Sequence, residues 1–245
     1  MSLIWQEILI KPTFNLLIFF YNVIPFHDLG IAIILVTIII RLILFPSSLK
    51  LLHHQKLLTT LQPEVEKIKK KYKDKKQQNQ AIFRLYSEKK INPLYSCLPF
   101  IFQIILLIAL FQVLSRYLPS QNWSLLYPFI KAPSVLKTSF LGLLDLTLTP
   151  KITSLVILFT AYKWNVILAF LVASLQFYQS KMMQPTQAPS SSPQAAISRQ
   201  MTYFFPVMVF AFSLFLPAGL PLSWLVTEIF TIFSQRMILT PKEIK

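Results

Sequence analysis

The chain has 245 residues, of which 54% are apolar and only 13% charged, with a mean hydropathy of +0.56; soluble domains carry about 25% charged residues. That balance excludes an ordinary soluble fold and indicates an integral membrane protein with several spans. The single Cys97 excludes an internal disulfide and a cysteine metal cluster, and three histidines, two of them adjacent (His53, His54), do not make a zinc set.

The net charge of +15 belongs to segments rather than to the chain as a whole, because membrane proteins collect Lys and Arg in cytoplasmic loops. A basic segment is also suited to nucleic acid or anionic lipid. Glycine, at three residues, is too scarce for glycine-mediated helix contacts to dominate.

Residues 1–27 read as an amphipathic helix lying at the membrane interface. Glu7, Lys11, Pro12 and Asn15 interrupt its apolar run, and Pro25 with His27-Asp28 ends it. A basic leader and a small-residue cleavage site are both missing, so it does not read as a signal peptide.

The first span is expected over 28–46, ending at Pro46. It carries Arg41 among Ile and Leu. A charged side chain at a bilayer centre costs about 2.5–3.5 kcal/mol on insertion scales. Arg41 lies about 6 Å from the expected helix end, so snorkelling to the headgroups is one explanation. Thr37, Arg41 and Ser48 share one helical face, which favours a wet interior surface.

Residues 47–92 hold twelve Lys and Arg against Glu64, Glu66, Asp74 and Glu88. Leu58, Leu61, Val65, Ile68 and Tyr72 recur at helical spacing, as do Ile82, Leu85 and Tyr86. The spacing predicts a cytoplasmic helical hairpin turning over 72–79. Its charges read first as a solvated face and a topology signal; Lys67, Lys70, Lys71, Tyr72, Lys73 and Asp74 are the candidates for docking a client or partner.

The second span is expected over 93–115, followed by an extracytoplasmic loop over 116–163. The apolar run 152–162 is too short to cross a bilayer. A third span at 164–182 leads into a Pro/Ser-rich cytoplasmic linker, 183–199. The fourth span is 200–217 and the fifth 220–238, with a cytoplasmic tail at 239–245. Eighteen of the 24 Lys and Arg fall on the inner side of this layout, with the N-terminal region outside and the C-terminus in the cytoplasm. The predicted fold is an all-α integral membrane protein: five transmembrane helices, an amphipathic N-terminal interfacial helix and a cytoplasmic helical hairpin.

The local text resembles the Oxa/YidC/Alb family of membrane protein insertases over residues 14–240. Leu61-Gln-Pro63-Glu64 with Lys71-Tyr72-Lys73-Asp74 is similar to its hairpin. Ile91-Asn92-Pro93-Leu94 and Cys97-Leu98-Pro99 with Gln103 resemble its second span. Phe140-Leu141 with Asp145-Leu146 looks like its outer loop, and Pro217-Ala-Gly219-Leu220 with Ser223-Trp224 and Gln235 looks like its last helical pair. The chain departs from the pattern at Lys90, Tyr95 and Ser96, and at Glu228, where a polar amide is common.

The resemblance implies a hydrophilic groove, open to the cytoplasm and to lipid, whose positive potential attracts acidic residues of an inserting protein. Arg41 is its expected centre. Thr37 and Trp224 match groove positions, though Thr37 also reads as bonded to its own helix and Trp224 equally as an interfacial aromatic. Gln103, Gln176, Gln179, Thr227 and Ser234 are further candidates, each also suited to plain helix packing. Glu228 has two readings: an ion pair with Arg41, or a protonated carboxyl bonded to a neighbouring helix.

No catalytic residue, cofactor or metal is expected. The expected partners are nascent or newly made membrane proteins and the bilayer, with the ribosome, targeting machinery and Sec translocon as further contacts and no specific nucleic acid. The expected location is the bacterial plasma membrane, or alternatively an organelle inner or thylakoid membrane. The rival function is a secondary transporter or channel using Arg41 and Glu228. No internal repeat supports it. A membrane enzyme is a weaker rival, because His53 and His54 have no acidic partners nearby in the sequence.

Overall fold

Long apolar stretches leave the backbone no route to satisfaction in lipid except its own helical hydrogen bonds. The computed structural model describes residues 3–90, 98–121, 123–150, 160–182 and 193–239, and these are mostly helical. In order they are α1 (Leu3–Val23), α2 (Leu29–Thr60), α3 (Gln62–Lys71), α4 (Lys75–Glu88), α5 (Leu98–Gln112), α6 (Lys163–Met182), α7 (Pro193–Phe215) and α8 (Gly219–Leu239). A two-residue hairpin, β1 (Ser139–Phe140) and β2 (Leu144–Asp145), lies in the loop after α5, with Ser139 opposite Asp145. Among the described residues, α1 and the run from Leu29 to Lys71 are long and apolar enough to cross a membrane, and Ile101–Tyr117 and Thr202–Phe215 are shorter apolar helices.

α1 turns its polar residues inward. Thr13 and Asn15 are buried beside Phe14, Leu17 and Ile18, while Leu3, Ile4, Ile8, Phe19 and Val23 are exposed. Glu7 and Lys11 neutralise each other across one helical turn at 2.9 Å. The exposed side of this helix is thus apolar.

Several element bounds differ from those expected. α2 continues through Pro46 to Thr60. A proline inside a helix deprives the carbonyl four residues back, here that of Leu42, of its partner, yet α2 runs on without ending there. The basic hairpin turns at 72–74 and not over 72–79, because Asp74 caps α4 by accepting from Lys76 N–H at 3.2 Å. Gln78 closes the turn by donating to the carbonyls of Lys69 and Tyr72. α7 begins at Pro193, inside the stretch read as linker; proline is well placed in a first turn, where its missing donor is not needed. α5 ends in a turn of π-helix, Val113–Tyr117. The expected start of the second span at Asn92-Pro93, the first part of the linker, most of the run 152–162 and the tail from residue 240 lie outside the described residues.

α8 is the central element, packed on α2, α5 and α6, with α7 lying along α6 and α1 along α2. The apolar core gathers at the end of the bundle away from the basic hairpin, around Phe14, Leu17, Ile33, Leu114, Leu146 and Leu220. The 123–148 loop fastens that end. Asp28 accepts from Ile31 N–H at 3.0 Å and from Leu141 N–H at 2.7 Å. Phe140 then lies against Gly30, where a Cβ would meet the ring at 2.1 Å. Leu146 O accepts from Gly219 N–H at 3.1 Å, tying the loop to the start of α8.

Candidate functional site

Below this packed end, helices α1, α2, α5 and α8 separate around a cavity of about 40 Å³. At roughly 10–15 Å³ per water centre it has room for two to four waters. Its polar lining comes from all four helices: Thr13 on α1, Thr37 and Arg41 on α2, Gln103 on α5, and Ser223 and Thr227 on α8. Leucine, isoleucine and Val36 fill the remaining wall.

Arg41 is half-buried and donates a hydrogen bond to Gln103 Oε1. That acceptor is neutral, so the guanidinium is oriented without being neutralised. Thr37 lies one turn away in the same wall, and its hydroxyl donates to Ile33 O at 2.7 Å; it lines the cavity and also satisfies its own helix. Ser48, the third member of the expected stripe, donates to Leu44 O at 3.0 Å and does not reach the cavity.

Glu228 matches neither of its two readings. It is 6% exposed, and its Oε1 accepts from Trp224 Nε1 at 3.1 Å on the same helix. Its Oε2 has no partner among the described residues. Trp224, one turn earlier, meets the carboxylate first, while Gln103 takes the hydrogen bond of Arg41. Arg41 and Glu228 remain close enough for their charges to interact.

The site therefore gathers Arg41, Thr37, Gln103 and Thr227, with Trp224 and Glu228 coupled beside them. It does not gather Gln176 and Gln179. These bond to each other on α6 at 3.1 Å, and neither lines the cavity. Ser234 donates to Phe230 O at 2.8 Å, again within its own helix. Lys67, Lys70, Lys71, Tyr72, Lys73 and Asp74 sit on α3 and the turn after it, with Lys71 Nζ 5.6 Å from the Tyr72 ring. Thr13 and Ser223 were not among the expected site residues. The only sequence signal for Thr13 is a polar residue four positions before Leu17 on an otherwise apolar face.

The model of the 60Kd inner membrane protein family matches residues 19–244. The chain belongs to this family. A relative in Fusobacterium nucleatum, described as membrane protein insertase YidC, is 32% identical over 213 residues, which cover 86% of each chain. One in Magnetococcus marinus, with the same description, is 32% identical over 240 residues, covering 98% of this chain and 37% of that one. The chain thus spans little more than a third of the Magnetococcus relative and most of the Fusobacterium one. Among solved structures, the crystal structure of an active YidC insertase with its first transmembrane domain resolved is similar at a TM-score of 0.53, with 23% identity, over 97% of this chain and 47% of that one. That likeness concerns the fold. Membership of the 60Kd inner membrane protein family makes this an all-helical membrane protein.

Proposed function

We propose that this protein is a membrane protein insertase. The observation that carries the reading is the half-buried Arg41, hydrogen-bonded to a neutral amide in a polar cavity within an otherwise apolar helical bundle. The descriptions of its relatives support the same reading.

The mechanism follows from the surroundings of that charge. In a cavity with low-dielectric walls, a guanidinium creates a stronger field than it would in water. An acidic residue in the short polar segment of an arriving client is drawn towards it. Thr37, Gln103 and Thr227 offer hydrogen bonds to polar groups that otherwise cross hydrocarbon at a cost of several kcal/mol. The client's apolar segment then partitions into lipid, which supplies most of the driving force. No bond is made or broken.

In this reading the basic hairpin lies in the cytoplasm and receives clients, with the ribosome, targeting machinery or translocon as its other contacts. The clasped end around Asp28, Phe140 and Gly219 faces outward, in a five-span layout with the C-terminus inside. The positive-inside distribution supports this orientation, and the location follows as the bacterial plasma membrane.

Complementation of a bacterial strain depleted of its own insertase tests the proposal, with wild type and Arg41→Ala side by side. Rescue by wild type alone supports both the function and the role of the charge. Rescue by both keeps the function and reduces Arg41 to an anchor. Stable expression of wild type without rescue removes the insertase reading.

A further inference from the structure

At the clasped end, the last turns of α1 and the segment 129–135 enclose a second groove of about 490 Å³, within the roughly 300–1,000 Å³ of small-molecule sites. We propose that this groove binds the headgroup region of an anionic glycerophospholipid from the surrounding leaflet.

The groove is held open by specific bonds. Tyr21 Oη accepts from Lys137 N–H at 2.8 Å and donates to Val135 O at 3.1 Å. Asn22 Nδ2 donates to Lys131 O at 2.8 Å. These contacts pin the 131–137 backbone to the end of α1, so the groove exists before any ligand arrives.

Its chemistry is divided in two. Phe19 and Val23, 44% and 63% exposed, continue the apolar outer face of α1, and Phe129, 78% exposed, adds an aromatic wall. Lys131, His27 and Ser134 line the same groove, and among the described residues no acidic side chain does. His27 Nδ1 lies 3.0 Å from Tyr21 O. A carbonyl only accepts, so Nδ1 carries the proton and Nε2 is left for a ligand.

This division selects the occupant. A phosphodiester anion is matched by the Lys131 ammonium and the Ser134 hydroxyl. A free phosphate has no use for the Phe19–Val23–Phe129 side, and a wholly apolar segment has no use for the lysine. The groove lies just before α2 begins at Leu29, where the five-span layout places the outer membrane surface, so it sits where acyl chains meet headgroups. A lipid with its glycerol at Phe129 satisfies both sides at once. The site is separate from the Arg41 cavity and shares none of its lining residues.

Native mass spectrometry of the purified full chain in detergent tests this, with dioleoyl phosphatidylglycerol, dioleoyl phosphatidylcholine and sn-glycerol 3-phosphate as probes. Lys131→Gln/Phe129→Ser is the variant. Both side chains are exposed, and the pinning bonds use only the backbone of Lys131, so the fold is retained; circular dichroism checks this. Wild type is expected to hold phosphatidylglycerol roughly tenfold more tightly than the variant, the equivalent of about 1.4 kcal/mol. It is also expected to prefer phosphatidylglycerol over phosphatidylcholine and to keep it against equimolar glycerol 3-phosphate. Equal retention by the variant, no headgroup preference, or displacement by glycerol 3-phosphate would each overturn the proposal. Displacement would mark a site for soluble phosphate. The readout needs no insertion activity, so it stands or fails independently of the insertase assignment.

Discussion

Arg41 on α2 donates its hydrogen bond to the amide oxygen of Gln103 on α5, 62 residues later in the chain. The contact fixes the direction of the guanidinium without cancelling its charge. A carboxylate in the same place would give a neutral pair. The identity of residue 103 therefore decides whether the cavity presents a positive field.

Gln103→Glu places that carboxylate opposite Arg41. Insertion of a client with an acidic outer segment is expected to fall roughly tenfold, about 1.4 kcal/mol, in proteoliposomes containing the purified variant. Gln103→Leu keeps the charge and is expected to lose less. Equal activity of Gln103→Glu and wild type would show that the field is not used.

Glu228→Gln keeps an acceptor for Trp224 Nε1 and removes the acidic group whose field reaches Arg41. Insertion of acidic clients is expected to rise severalfold, with little change for neutral clients. The ratio of the two client classes in one translation reaction measures it; an unchanged ratio would show that Glu228 does not weaken the field.

Asn15 anchors α1 to the loop after α5. It is 1% exposed, donates to Leu125 O at 2.8 Å and accepts from Tyr127 N–H at 2.6 Å. Asn15→Leu leaves both backbone groups unpaired, and a buried unsatisfied group costs about 1–3 kcal/mol. A lower midpoint is expected in thermal unfolding of the detergent-solubilised protein.

Gly219 opens α8 in a tight place. An added Cβ would lie 2.6 Å from Leu114 Cδ1, 3.0 Å from Ile33 Cδ1 and 3.1 Å from Leu146 O. The Leu114 and Ile33 ends can shift, but the carbonyl is held by the Gly219 N–H. Gly219→Ala is expected to destabilise by about 1–3 kcal/mol, as overpacking does, and to make the 140–148 loop more accessible to protease.

Burial pushes the Tyr86 phenol in the basic hairpin above its ordinary value near 10. The folded state therefore holds the proton more tightly than the unfolded one. This contribution is complete below about pH 10 and is lost as pH rises from there through the folded-state value. Burial lowers the Lys69 ammonium, opposed by Glu66, which acts with the opposite sign: stability rises between its lowered value and the ordinary one. Tyr86→Phe is expected to remove the alkaline loss, leaving hairpin helicity flat or rising between pH 9 and 11 by circular dichroism. A decline identical to wild type would place the titration elsewhere.

The features legible in the sequence are local ones. Apolar runs with few charges require helices, because lipid offers no other partner for the backbone. Arg41 stands out because its neighbours are all apolar. Asp74 before a helical stretch is a cap signal, and its cap shortens the turn to 72–74. Pro46 does not end α2: proline usually ends a helix, but here the packing of α2 against α8 and α1 outweighs the one local bond that it removes.

What the sequence determined by itself is that this is a basic, all-helical membrane protein with a conspicuous cation inside an apolar run and a charged helical hairpin. Only the tertiary structure decided which polar groups meet. Gln103 reaches Arg41, Trp224 takes Glu228, Thr13 joins the cavity, and Gln176 and Gln179 bond to each other instead. Helical periodicity places a residue on a face of its own helix. The rotation and depth of that helix against its neighbours arise from packing over the whole bundle, and a difference of one turn, about 5.4 Å, changes every partner.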